Sequence, residues 1–161
     1  MRVLAIDPGY DRLGIAILDK DEKGLETLLF SACVTTDSKS EFPDRLNKVV
    51  LETKKAMEEF SPDALSIEKL YITKNQKTAM RVAEVRGAII QSARENGLEV
   101  FEYTPLQIKI AVGGHGKSDK KQIISMVPRL IDLKEKKIKY DDEYDAIAIG
   151  LTCLAIEKRL Q

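Results

Sequence analysis

The stretch RVLAIDPGYDRLGIAIL, residues 2–18, contains two apolar runs joined by a turn-forming Asp-Pro-Gly sequence. The runs at 2–6 and 13–18 are rich in Val, Ile and Leu, residue types that are common in buried strands. A third run covers 25–35, after a polar turn at 19–24. Because the connections are short, we expect these three strands to form an antiparallel meander.

The rest of the chain alternates helical and strand patterns. Apolar residues at helical spacing predict a helix over 42–60, which Ser61-Pro62 should end. As a right-handed crossover, this helix should place a short strand at 64–68 parallel to the first strand. The next predicted elements are a helix over 75–96 closed by Gly97, a strand at 99–103, and a helix capped by Thr104 with Pro105 at its first position. A helix over 118–131 with Ser118 as N-cap and a helix over 142–160 complete the chain.

The order β-β-β-α-β-α-β-α-α-α predicts an α/β fold with one five-stranded mixed sheet flanked by helices on both faces. A chain of 161 residues is long enough for one domain and too short for two. No apolar run approaches the roughly 18 residues that a membrane span needs. The two cysteines, Cys33 and Cys153, are expected to be free thiols. A cytoplasmic protein with no membrane partner is therefore expected.

The net charge of zero does not by itself suggest a nucleic-acid partner. The charge is unevenly distributed, however, because residues 69–121 contain ten Lys and Arg against five Asp and Glu. A chain that is neutral overall can still present a basic face to phosphates. An ordinary solvated helix surface explains the same excess, so charge alone leaves both interpretations open.

Four carboxylates stand at the ends of predicted strands and helices. Asp7 and Glu68 end two strands that should be neighbours, and Asp142 and Asp145 share one face at the start of the last helix. Each acid alone is better explained by a structural role, such as a turn, cap or helix-dipole residue. Together, however, they would repel one another unless cations bound. Oxygen ligands of this kind select Mg²⁺ or Mn²⁺, and a pair of such ions supports phosphodiester hydrolysis.

Several longer motifs carry a family resemblance. Ile-Asp-Pro-Gly ends the first strand, Ile-Glu-Lys-Leu-Tyr-Ile-Thr-Lys-Asn covers 67–75, Val-Arg-Gly covers 85–87, Phe-Glu-Tyr covers 101–103, and Asp-Glu-Tyr-Asp-Ala-Ile-Ala covers 142–148. In this order, and over essentially the whole chain, the sequence resembles the RuvC-type Holliday junction resolvases. Asp-x-Gly alone is a weak motif, whereas its combination with the glutamate motif and the terminal helix is specific.

The resemblance implies a single ribonuclease H-like nuclease domain over 1–161. It implies a homodimer that binds four-way junction DNA and nicks two strands symmetrically, with two Mg²⁺ ions per active site that Mn²⁺ can replace. A partnership with a RuvAB-like branch-migration motor is also implied. The family's catalytic and metal-binding acids fall on Asp7, Glu68, Asp142 and Asp145. Because Asp141 and Glu143 flank Asp142, which of these three acids is the ligand stays open.

The resemblance also suggests residues that bind DNA. Tyr71 falls where the family carries an aromatic side chain that stacks on an unpaired base. The alternative is a purely structural, partly buried tyrosine at a strand end. Lys109 and Lys120 fall where the family places basic residues against DNA. Three further lysines close to these positions in the sequence are candidate DNA contacts on charge alone, namely Lys74, Lys117 and Lys121.

Other features of the middle of the chain have less certain roles. The 75–96 helix is apolar on more than one side, so we expect one side to pack on the sheet and another to face a second subunit. Complete burial within one domain is the alternative. Arg86, within this helix, could contact DNA or the dimer partner. His115 lies in a glycine-rich loop over 113–117, which is a better candidate for a DNA contact than for a catalytic base.

Three other functions would fit part of the sequence. A different ribonuclease H-like nuclease, such as a YqgF-type protein or an RNA nuclease, would share the fold and the acids. An actin-like ATP-binding fold would share the Asp-x-Gly turn, but the chain is too short for its two lobes. A junction-binding protein without catalysis is disfavoured by the presence of all four acids.

Overall fold

The computed structural model describes residues 1–70, 76–134 and 136–157. Its elements follow the predicted order. They are β1 (Arg2–Asp7), β2 (Arg12–Lys20), β3 (Glu26–Thr35), α1 (Phe42–Phe60), β4 (Ala64–Glu68), α2 (Gln76–Glu95), β5 (Glu99–Tyr103), α3 (Pro105–Gly113), α4 (Lys120–Leu130) and α5 (Asp141–Ile156).

The strands form one mixed sheet in the order β3-β2-β1-β4-β5. The first three are antiparallel neighbours, and β4 and β5 join in parallel through helical crossovers. Ile6 of β1 pairs with Ile15 on one side and with Ile67 on the other. The predicted five-stranded mixed sheet is thus confirmed, and the carboxyl ends of β1 and β4 lie side by side.

Two apolar clusters pack against opposite faces of the sheet. In β1, Val3 and Ala5 face the layer that contains α5, whereas Leu4 and Ile6 face α1 and α2. This division follows from the two-residue period of a strand. Full burial of a side chain such as Leu4 contributes about 1.5–3 kcal/mol, so helices on both faces hold the strand in register.

Two helices, α4 and α5, have ends that differ from the prediction. The N-cap of α4 is Asp119 and not Ser118: its carboxylate accepts from the Gln122 backbone N–H at 2.8 Å, and the Gln122 side chain accepts from the Asp119 N–H at 2.8 Å. Ser118 is buried and donates its hydroxyl to the His115 carbonyl at 2.8 Å. The predicted cap was wrong because this hydroxyl closes the preceding turn.

The last helix begins and ends earlier than predicted. Its N-cap is Tyr140, so Asp142 lies in the first turn and is not a cap. Its C-cap is Glu157, which ends the helix before the predicted 160. By contrast, Thr104 forms the expected cap with Pro105 in the first turn. In the described residues, no helix is both long and apolar enough to cross a lipid bilayer.

Candidate active site

The four acids come from three elements that meet at one edge of the sheet. Asp7 is the last residue of β1 and Glu68 is the last residue of β4, two parallel neighbours. The first turns of α5 bring Asp142 and Asp145 over the same edge. This approach depends on Gly14 of β2, because a methyl group there would collide with the Asp142 carbonyl oxygen.

Asp7 shows most clearly that the acids converge. Removal of its carboxyl group from water raises its pKa well above the ordinary 3.8. The charges of Asp145, Glu68 and Asp142 raise that pKa further, in decreasing order, and Lys120 partly offsets them. The edge of the sheet is therefore a place where negative charge is concentrated and poorly hydrated.

The same two causes act on two of the other acids. Burial is the largest cause that raises the pKa of Glu68, and the charge of Asp145 adds to it. Burial also raises the pKa of Asp145, against the opposing effect of its bond from Lys120. Ionisation is thus disfavoured at all three carboxyl groups. A cation bound beside them would stabilise their ionised forms.

Lys120 is a cation already present beside these acids. Its ammonium group lies 2.7 Å from Asp141 Oδ2 and 2.8 Å from Asp145 Oδ2. Burial alone would lower the Lys120 pKa, but the bonds to the two carboxylates outweigh burial and raise it. Lys120 therefore stays charged and neutralises part of the acidic cluster.

Asp142 has a different cation as its neighbour. Arg12 Nε lies 3.1 Å from Asp142 Oδ2, and the Arg12 guanidinium lies over the Tyr140 ring at 5.5 Å from its centroid. Despite this short distance, the buried Oδ2 atom has no hydrogen bond of good geometry. Asp142 thus retains an acceptor that a further ligand could use.

The two acids that flank Asp142 are each paired with a lysine. Glu143 is 5% exposed and accepts from the Ser31 hydroxyl and from the Lys136 ammonium, both at 2.6 Å. Asp141 pairs with Lys120 at the surface, and this bond lowers the Asp141 pKa. Asp142, and not Glu143, is therefore the acid that faces the charged edge together with Asp7.

The acidic group fits a hard divalent cation in the chemistry of its donors. Carboxylate oxygens in a partly desolvated cluster are the ligands that such ions prefer. In the described part of the chain, however, no three Asp, Glu, His or Cys side chains already stand in a ligand arrangement. Lys120 is bonded to Asp145 and Arg12 lies beside Asp142, so a metal ion would compete with these two cations for the carboxylates.

A cleft of about 240 Å³ lies next to the acids. It is lined by Glu68, Asp145, Lys109, Lys120, Pro105, Ile108 and Ile123. The cleft thus joins two of the acids, two of the lysines predicted to bind DNA and an apolar wall. A larger cavity, about 460 Å³, lies at the opposite end of the sheet between the N-terminus and the end of α5, far from this chemistry.

The other predicted DNA-binding residues lie outside this cleft. Lys117 is exposed in the loop before α4, and Lys121 is exposed in the first turn of that helix. Tyr71 and Lys74 lie outside the described residues. His115 contacts Ser118 through its carbonyl oxygen, as part of the turn before α4.

Arg86 forms contacts within the chain. Its Nε donates to the backbone oxygen of Glu68 at 3.0 Å, and its guanidinium pairs with the Glu102 carboxylate. Sequence reasoning missed this arrangement, and it also missed Arg12 and Lys136. The only signal for Arg86 was a charge among apolar residues of a buried helix, which indicates a partner but does not identify it.

The outer side of α2 remains exposed in the single chain. Val85, Ile89 and Ala93 are buried against the sheet, but Met80 is 66% exposed and Gly87 is exposed as well. The alternative that this helix is wholly buried within one domain is therefore wrong. The helix therefore has a second, exposed face, as expected.

Comparison with known proteins agrees with the fold and the motifs. The sequence profile described as "Crossover junction endodeoxyribonuclease RuvC" matches residues 3–153. A protein of that name from Finegoldia magna is 44% identical over 94% of this chain and 91% of its own length. Another from Thermosipho melanesiensis is 40% identical over 99% of both chains.

A solved structure gives the same result at the level of the fold. The structure described as "T. thermophilus RuvC in complex with Holliday junction substrate" superimposes with a TM-score of 0.86 and 28% identity, over 94% of this chain and 92% of that one. The architecture is therefore that of the ribonuclease H-like resolvases, with a mixed sheet between two helical layers.

Proposed function

The chain belongs to the crossover junction endodeoxyribonuclease RuvC family, and on that premise we propose that it resolves four-way DNA junctions by paired, symmetric nicks in recombination and repair. The observation that carries the proposal is the meeting of Asp7, Glu68, Asp142 and Asp145 at one sheet edge. Family membership also favours this function over a YqgF-type nuclease and over an actin-like ATP-binding protein.

The proposed reaction is hydrolysis of a phosphodiester bond with divalent metal ions. Asp7, Glu68, Asp142 and Asp145 would hold the metal, and we propose two Mg²⁺ ions, which Mn²⁺ can replace. The chemistry that such ions supply when bound is activation of water and stabilisation of the leaving 3′ oxygen. The protein's own part is to hold four acids together at a partly dehydrated edge, against their mutual repulsion.

The lysines of the cleft would receive the DNA backbone. Lys109 and Lys120 line the cleft together with Glu68 and Asp145, so a phosphate there would lie between cations and the catalytic acids. Such contacts position a strand without reading its bases. We also propose that Lys117 and Lys121 contact the flanking phosphates. Roles for Tyr71 and Lys74 in stacking and backbone contact stay predictions.

A symmetric pair of nicks requires two active sites related by a twofold axis, which a homodimer supplies. We propose that α2 forms the dimer interface, because Met80, Ala83 and Gly87 are exposed along one side of the helix. A small residue such as Gly87 permits close approach of a partner helix. Light scattering after size-exclusion chromatography tests this, and a monomer at micromolar concentration would contradict it.

The family resemblance further supports two proposals about cellular context. One is cooperation with a RuvAB-like branch-migration motor, which would expose successive sequences to the nuclease. The other is a cytoplasmic location, where chromosomal DNA is available. Co-elution of the junction-bound protein with such a motor would support the first of these.

The deciding experiment compares a synthetic four-way junction with a linear duplex of the same sequence. With Mg²⁺, the wild-type protein should nick the junction at two symmetric positions and leave the duplex intact. Asp7→Asn should bind the junction and not cut it. Equal cutting of both substrates, or cutting that survives Asp7→Asn, would refute the proposed function. Replacement of Mg²⁺ by Mn²⁺ should retain activity, and Ca²⁺ should not support it.

A further inference from the structure

We propose that Arg86, held in place by Glu102, is a positioning residue that fixes the direction of the Glu68 carboxylate toward the metal ions. This inference rests on the proposed function, since Glu68 is one of the acids assigned there to metal binding. It gives Arg86 a role inside the chain, where the sequence alone left DNA contact and dimer contact as alternatives.

The contacts restrain a single peptide unit from both sides. The Glu68 carbonyl accepts from Arg86 Nε at 3.0 Å, and the N–H of the same peptide unit, which belongs to Lys69, donates to the Tyr103 carbonyl at 2.8 Å. A planar peptide that is held at both its oxygen and its nitrogen cannot rotate. Its orientation sets ψ of Glu68 and therefore restricts where the Glu68 side chain can point.

Glu102 holds the other end of the arginine. It lies on β5, directly opposite Ile67 of β4, and its carboxylate pairs with the Arg86 guanidinium. The Arg86 side chain is only 19% exposed, so its bonds replace water that it has lost. A guanidinium can serve two acceptors at once through separate N–H groups, whereas a lysine ammonium at the same position would reach one of them.

A restraint at this point has a clear purpose. Glu68 is the last residue of β4, and the charge of Asp145 repels its carboxylate. An unrestrained strand end would allow the glutamate to turn away from the other acids. Metal affinity depends strongly on such outer contacts, because loss of a partner of a metal ligand typically weakens binding by about 10–100-fold.

Arg86→Gln is the main test, and Arg81→Gln is the matched control. Arg81 is on the same helix and pairs with Glu84, away from Glu68. Calorimetric titration with Mn²⁺ alone should show an affinity roughly tenfold weaker for Arg86→Gln and unchanged for Arg81→Gln. The Mg²⁺ concentration for half-maximal nicking should rise in parallel. Junction affinity in EDTA should stay within about twofold, because the arginine does not itself bind DNA.

Two milder variants keep the test decisive if Arg86→Gln does not fold. Arg86→Lys and Glu102→Gln should each weaken Mn²⁺ binding by roughly threefold, since each leaves one contact of the pair. Unchanged Mn²⁺ affinity in these folded variants would overturn the positioning role. A loss of junction affinity in EDTA for Arg86→Gln would instead assign Arg86 to DNA contact and would also overturn it. If wild type and Arg81→Gln fail to nick junctions, it is the proposed function that fails.

Discussion

Asp7→Asn should abolish nicking and, in the absence of divalent metal, make the protein more stable. Burial raises the pKa of Asp7 well above its ordinary value of 3.8, and the charges of Asp145 and Glu68 raise it further. Ionisation of this carboxyl group therefore opposes folding. An asparagine has nearly the same shape and carries no charge, so it removes this opposition and leaves the end of β1 unchanged.

The magnitude follows from the free energy of ionising a buried group. Each unit by which the folded pKa exceeds the unfolded one costs about 1.4 kcal/mol at a pH above both. A buried charged group without its proper partner costs more than the roughly 1–3 kcal/mol that is typical of a neutral polar group. We expect Asp7→Asn to recover this difference, about 1 kcal/mol or more at pH 7. For a chain of this size, each kcal/mol raises the melting temperature by roughly 2–4 °C.

The pH dependence has a definite sign. Between 3.8 and the raised pKa, the folded state holds a proton on Asp7 that the unfolded state has released. Wild-type stability should therefore fall as pH rises through this interval, on account of this group. The advantage of Asp7→Asn should be absent below this interval, grow across it and become constant at higher pH.

Thermal unfolding in EDTA at a series of pH values is the assay. Asp44→Asn is the control, because Asp44 is an exposed aspartate in the first turn of α1. It should change stability by less than about 0.5 kcal/mol. Saturating Mg²⁺ should stabilise wild type and not Asp7→Asn. If Asp7→Asn is no more stable than wild type in EDTA at pH 7, the argument from charge concentration is refuted.

Three further substitutions test other contacts of the site. Lys120→Met should bind Mn²⁺ about fivefold more tightly in a calorimetric titration, because the competing ion pair to Asp145, worth roughly 1 kcal/mol, is lost. The same variant should nick junctions more slowly. Weaker Mn²⁺ binding would contradict this prediction. Lys136→Met should lower the free energy of urea unfolding by about 1–3 kcal/mol, because the buried Glu143 carboxylate loses its cation. Adding Glu143→Gln to this variant should recover much of the loss. Gly14→Ala should lower the free energy of urea unfolding by about 1–3 kcal/mol and reduce nicking, because the added methyl group displaces the start of α5. Wild-type stability together with wild-type nicking would refute the close contact between Gly14 and the Asp142 carbonyl.

Much of the architecture was readable from the chain. Strand period, helical period and the short connection at the Asp-Pro-Gly turn predicted the element order and the mixed sheet, since both depend on local residue patterns. The parallel pairing of β1 with β4 followed from the crossover helix, and this pairing predicted that Asp7 lies beside Glu68. Helix ends were less predictable, as at Ser118, because a hydroxyl can satisfy a neighbouring turn instead of a cap.

The acids at the strand and helix ends were likewise determined by the sequence, as was their donor chemistry. Only the tertiary structure decided which cations stand beside them. Lys120 meets Asp145, Arg86 meets the Glu68 carbonyl, and Glu143 is drawn away from the site by contacts with β3 and the connection before α5. These contacts join side chains from separate elements, and their formation depends on how helices pack across the sheet. Local propensity carries no information about that packing, whereas the burial that results from it raises the pKa of Asp7, Glu68 and Asp145.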